Sequence, residues 1–308
     1  MKRAFTLIEL LIVIGIIAIL AGVLLGNYSG ITNRVRAAKC QTNLRNLAQA
    51  VGTYAVSGRY PFAGTAQYIK TTGGTDNGGV EIRVFKGWVS ADTRGVRFPI
   101  AGNSPASLTP ISYANDDYDT VNYAITNGAL WEAVGMNKES YLCPVHVEQC
   151  QKQGVRQPGW SYQMNAYFGY DPGELLTPYS YIEAASLTRA DRILLFAELP
   201  ALDSNSKDVK KAKVQLPKPN LTGGNGDEQM CGCLHYKSLS GGGKGVIGFN
   251  HVRGRDIVGH VAFADGHVEA LVAPKSGNYD DLTDWLCQGL DILVKDKNYQ
   301  KVNDSEVQ

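Results

Sequence analysis

Phe5 to Leu25 form a run of 21 residues in which only Thr6 and Glu9 are clearly polar. As a helix, a run of that length reaches roughly 30 Å, the thickness of one bilayer core. Lys2 and Arg3 precede it, which places them on the cytoplasmic side of a spanning helix. From Leu10 to Leu25 there is no charge and no hydroxyl, a run too long and uniform for the helix of a soluble core. A secretory signal peptide has a shorter apolar core and a small-x-small cleavage site, of which Ala18, Ala21 and Gly22 make a poor version. A plain anchor has no use for Glu9, since a carboxylate costs about 2.5–3.5 kcal/mol at a bilayer centre and still needs a partner. Cleavage between Ala4 and Phe5 would supply one. The new α-amino group lies one helical turn from Glu9, in the same chain or in a neighbour, and could fix the axial register of stacked helices.

The stretch RAFTLIELLIVIGIIAIL resembles the class III signal of type IV pilins and type II secretion pseudopilins. The resemblance implies that a prepilin peptidase cuts before Phe5 and methylates the new amine. Ala4 stands where the family usually has glycine, a small residue for another small one. It further implies assembly through Leu7, Glu9 and Leu10, with self and other pseudopilins in a filament as partners. Prepilin peptidase, an inner-membrane assembly platform and membrane lipid complete the partner set. The implied location is the bacterial inner membrane, single-pass with the head outside the cytoplasm, and then a periplasmic or surface filament. Further on, YLCP, SYQMN, ILLFAE and FADGHVE follow in the order seen in large pseudopilin-like proteins with a C-terminal H-x-D-G-type motif. Thirteen residues separate His251 from Asp265 here, against about nine in most such proteins, so the intervening turn is extended.

Beyond Gly26 the pattern becomes amphipathic, with Ile31, Val35, Ala38, Leu44, Leu47, Ala48, Val51 and Tyr54 at three- and four-residue steps. This predicts one helix from about Phe5 to Val56, ended by the Gly58 and Pro61 of SGRYPF. The expected organisation is a leader over 1–4, a pilin helix over 5–57 with 5–25 transmembrane, a head over 58–298 and a polar tail over 299–308. TTGGTDNGG reads as a loop, VEIRVFKGWV and ILLFAE as strands, and VIGFNH and GHVAFADGHVEALV as two more, the second turning at Asp265-Gly266. Leu282, Trp285, Leu286, Leu290, Leu293 and Val294 predict an amphipathic helix over Asp280 to Lys295. With no βαβ alternation, the class is α+β: a long N-terminal helix packed on an antiparallel-sheet head with long loops and a C-terminal helix.

A net charge of +1, with no basic helix, gives no electrostatic footprint for nucleic acid. Six cysteines, Cys40, Cys143, Cys150, Cys231, Cys233 and Cys287, are disulfide candidates in an exported chain. Cys143 and Cys150 could close a short loop, while Cys231 and Cys233 suit distant partners. The same residues offer zinc ligands, Cys143, His146 and Cys150 with Cys231, Cys233 and His235. His251, His260, Asp265 and His267 form a second metal candidate or a hairpin-stabilising set. Asp116, Asp117 and Asp119 could hold calcium or form a solvated acidic loop. No G-x-S-x-G, H-E-x-x-H or phosphate-binding glycine loop is present, and the expectation is a non-enzymatic protein. The alternative to a filament subunit is a membrane-tethered binding module for a glycan, peptide or metal.

Overall fold

A computed structural model describes residues 6–56, 60–61, 63, 68–73, 80–85, 87–90, 118–154, 158–165, 168, 190–202, 205–216, 233–234, 246–275, 282, 286–287, 292–295 and 298–301. The side chains of 22–29, 68–73, 80–85, 233, 292–295 and 298–301 also lie outside the description. The chain is α+β. It begins with helix α1, Leu7–Ala55, continuous as the hydrophobic pattern predicts. Its start is fixed by a capping box: the Glu9 N–H donates to the Thr6 side chain, and the Glu9 carboxylate accepts from Thr6 N and Oγ1, both at 2.8 Å. Thr-x-x-Glu is the sequence signature of that device. Glu9 therefore already has a local partner within its own first turn.

Among the described residues no helix is long and apolar enough to cross a membrane. The described first half of α1 is bare of packing. Leu7 is 81% exposed, and Leu10, Leu11, Ile14, Ile17 and Leu20 are all exposed. The second half is built into the head. Cys40, Leu44, Leu47 and Val51 recur at steps of four, three and four and are buried with Asn43, Ala48 and Ala50. Ile31 and Val35, expected on this face, are exposed. The fully buried stripe begins at Cys40; before it, Asn33 and Arg34 border a groove against the sheet instead of packing on it.

Strands β1, Tyr68–Gly73, and β2, Val80–Phe85, pair antiparallel. Thr71 to Gly73, read as loop from their glycines, extend β1. Helix α2, Tyr118–Thr126, follows, then a 3-10 turn over Lys138–Tyr141 and helix α3, Pro144–Lys152. Strands β3, Tyr162–Asn165, and β4, Leu194–Glu198, precede helix α4, Lys207–Ala212. The remaining strands are β5, Cys233–Leu234, β6, His251–Arg253, β7, Asp256–Phe263, β8, Val268–Val272, β9, Ile292–Lys295, and β10, Asn298–Lys301.

The main sheet runs β5-β3-β4-β7-β6, with β8 on β7. All its ladders are antiparallel except β3 with β5. One edge of β7 carries β8, and the other is shared end to end by β4 and β6, which face Val261 to Phe263 and Asp256 to Val258 respectively. Layers cover both faces. One core holds Trp88, Trp160, Phe196 and the α1 stripe, and the other holds Leu194, Ala197, Phe249, Val261, Leu282 and Leu286. Burial on both sides explains why β4 reads as an unbroken apolar run rather than an alternating one.

The β7–β8 hairpin turns at Asp265-Gly266 as read, with Gly266 at φ +91°, a conformation that favours glycine. Two expectations are corrected. VIGFNH is not a strand; the ladder begins at its last residue, His251, while Val246 to Asn250 pack across β4 and β7. The predicted C-terminal helix is helical at Leu282, Leu286 and Cys287, but Ile292–Lys295 pairs antiparallel with Asn298–Lys301, which runs from the last residue of the expected head into the expected polar tail. Ile292, Leu293 and Val294 are apolar and partly β-branched, which suits a strand as well as a helix.

Candidate functional site

Glu198 ends β4 and is fully buried. A buried carboxylate is tolerated only with partners, and Glu198 has several. Its Oε1 accepts from Cys40 Sγ at 2.8 Å, from the His260 backbone N–H at 3.2 Å, and faces His260 Nδ1 at 2.7 Å and His251 Nε2 at 3.2 Å. Its Oε2 accepts from Asn250 Nδ2 at 2.8 Å. Asn250 is held in turn by the Ala201 and Leu202 N–H groups, which donate to its Oδ1, and by Leu199 O.

The sheet register creates this meeting point. Glu198, the last residue of β4, and His251, the first of β6, flank Gly259-His260 where the two strands abut along β7. Gly259 has no room for a side chain, since a Cβ there would lie 2.1 Å from Gly248 O. That close approach lets Val246 to Asn250 run tightly against β7 and deliver Asn250 and His251.

From the other side, Cys40 comes down from α1, and Tyr162 Oη donates to its Sγ at 3.5 Å. Cys143 precedes Pro144 at the start of α3, where proline is favoured at the first helical position. Its Sγ lies 3.6 Å from His251 Nε2. One ligand atom each of Cys40, Cys143, Glu198 and His251 all lie within 4.8 Å of one another, and all four residues are buried. Asn43, one turn along α1, fixes the approach of Cys143: its Nδ2 donates to Glu139 O at 2.8 Å and Leu142 O at 2.7 Å.

Electrostatically the cluster is self-compensating. Burial pushes Glu198 up, but the two facing histidines outweigh it and hold the carboxyl well below its ordinary range. Burial pushes His251 down, and the Glu198 carboxylate and Cys143 more than reverse this, to about 10. Burial alone would raise Cys143, but hydrogen bonding from Cys40 and contact with His251 bring it down to about 6. Burial, Cys143 and Glu198 together push the Cys40 thiol up.

The sequence-derived candidate sets are redistributed. Cys40, Cys143, Cys150 and Cys287 are free thiols, so no disulfide joins Cys143 to Cys150. The intervening helix α3 holds them apart, and Cys150 packs on Ala201 with its Sγ 3.8 Å from His146 Nε2. His146 stays with Cys150 and turns its Nδ1 to Ser161 Oγ at 2.9 Å, while Cys143 joins Cys40, Glu198 and His251, so the proposed C-x2-H-x3-C zinc set is divided. The His251, His260, Asp265, His267 set also splits. The first two are buried at Glu198, while Asp265 and His267 pair on the exposed hairpin turn, with the His267 ring stacked on Phe263. Asp119 lies in the first turn of α2. Ala4, Phe5, Asp116, Asp117, Cys231 and His235, and the side chain of Cys233, lie outside the described residues.

The sequence reading did not name Glu198 as a site residue or place Cys40 beside Cys143. Two signals were available: a carboxylate closing an apolar strand, and a cysteine in phase with Leu44, Leu47 and Val51 on the buried stripe. A groove of about 470 Å³ lies beside the cluster, bounded by Asn33, Arg34 and Gln41 of α1 and by Arg253 and His260 of the sheet.

Residues 1–25 match the family described as the prokaryotic N-terminal methylation motif. The chain therefore carries the N-terminus of a type IV pilin-like, prepilin-type protein. No curated protein and no solved structure matches it.

Proposed function

We propose that the chain is a structural subunit of a type II secretion or type IV pilus-like filament, processed before Phe5 and assembled through α1. The observation that carries this reading is the methylation motif lying on a helix whose apolar first half is exposed while its second half is locked into the head. Exposed apolar surface on that scale needs a cover. Lipid supplies it before assembly, and the same segments of neighbouring subunits supply it afterwards. Glu9, freed from its cap or shared with it, then meets the processed amine. No catalytic step is assigned. The cysteine and carboxylate of the cluster both face the same nitrogen of His251, whereas a nucleophile–base–acid relay uses the two ring nitrogens separately.

Intact mass and N-terminal sequence of the chain from its native host test the proposal. A chain starting at Phe5 with one added methyl supports it. A chain starting at Met1, or cut near Ala21, overturns it. The groove between α1 and the β6–β7 hairpin favours the second reading, a tethered binding module. Replacement of Glu9 separates the two, because tethering and head binding do not need its charge.

A further inference from the structure

We propose that Cys40, Cys143, Glu198 and His251 bind a zinc ion that pins the stem helix to the head. This holds whether or not the chain assembles into a filament. Four ligand atoms from four separate elements converge within 4.8 Å. Around tetrahedral zinc, bonds of about 2.0–2.3 Å place nitrogen and oxygen ligands roughly 3.3 Å apart and sulfur and nitrogen roughly 3.5 Å apart. His251 Nε2 is 3.2 Å from Glu198 Oε1, and Cys143 Sγ is 3.6 Å from His251 Nε2. The Cys40 to Glu198 contact, 2.8 Å as a hydrogen bond, opens when the ion replaces the thiol proton.

A single ring nitrogen, His251 Nε2, faces both the sulfur and the carboxylate, so three ligands point at one centre rather than along a chain. The surrounding shell is in place. Tyr162 donates to Cys40 Sγ, and Asn250 together with the His260 backbone N–H donates to the Glu198 carboxylate. Such outer partners orient ligands and raise their affinity. Two thiolates, one carboxylate and one neutral imidazole suit a borderline-soft divalent ion. Loading releases the thiol proton of Cys40 and the proton that His251 holds beside the Cys143 sulfur to water.

The test uses the untagged full-length chain, purified without chelator or reductant. Elemental mass spectrometry should find one zinc per chain, and denaturation without reductant should leave Cys40 and Cys143 open to alkylation. Replacement of the ion by cobalt should give the intense visible bands and sulfur-to-metal charge-transfer absorption of a tetrahedral thiolate site. That readout needs no variant that might misfold. Tyr162→Phe, which removes only the hydroxyl donor, should weaken zinc binding about 10-fold or more. A Cys40–Cys143 disulfide in peptide mapping overturns the proposal. So do reduced thiols that take up neither zinc nor cobalt, and so does a folded Cys143→Ser chain that keeps its zinc at full affinity.

Discussion

His146 is fully buried beside Ser161 and Cys150, and burial brings its pKa down to about 4. Its ordinary value is about 6.5, so between about 4 and 6.5 the unfolded chain takes up a proton that the folded chain refuses. Its contribution to stability is therefore present above pH 6.5 and is lost as the pH falls toward 4, by about 3 kcal/mol in all. His146→Gln, which can still bond Ser161, should flatten that acid limb in denaturant titrations run across the interval. Gly259→Ala places a methyl against Gly248 O and should destabilise the head by about 1–3 kcal/mol or more. A lower thermal midpoint would show it. At this scale the sequence was legible where chemistry is local, as at Asp265-Gly266. It was not legible at Glu198, whose partners Cys40, Asn250, His251 and His260 come from distant segments. Their spacing along the chain carries no period that could announce the meeting.

Helix α1 was the most readable element, because apolar periodicity over so long a run admits no competing structure; its limits fall within two residues of expectation. The buried strand β4 and the β7–β8 hairpin were legible for the same reason, a strong local pattern with clear turn chemistry. The face of α1 was misread at Ile31 and Val35, since apolar residues there need only follow the helical period, and what lies opposite is a tertiary matter. Nor could C-x6-C reveal that a helix separates its cysteines. The stripe itself makes a firm prediction. Leu47→Ala should cost about 2–5 kcal/mol through the cavity it leaves. Asn43→Leu, which removes the side-chain donor to the Glu139 and Leu142 carbonyls, should cost about 1–3 kcal/mol. Chemical denaturation measures both, and a neutral result at Leu47 would show that α1 does not belong to the head core.

Taken whole, the molecule shares its core between stem and head. A fragment starting at residue 30 should fold cooperatively, whereas one starting at residue 57 lacks Cys40, Leu44, Leu47 and Val51 and should not. Circular dichroism melts of the two fragments decide the matter. Glu9→Gln keeps an acceptor for the Thr6 cap while removing the charge. Under the filament reading, polymer yield should collapse with head stability unchanged; normal polymer would remove the charge from the assembly mechanism. The continuity of α1 also has a mechanical consequence. A helix of 49 residues extends about 75 Å as one rod. Its embedded end lies alongside the sheet rather than standing on it. Tension along the rod therefore loads the contacts from Cys40 to Val51 in parallel, as shear, so that they yield together or not at all. A sideways pull loads them one after another, as in peeling tape. The subunit should thus be strong along its own axis and weak across it.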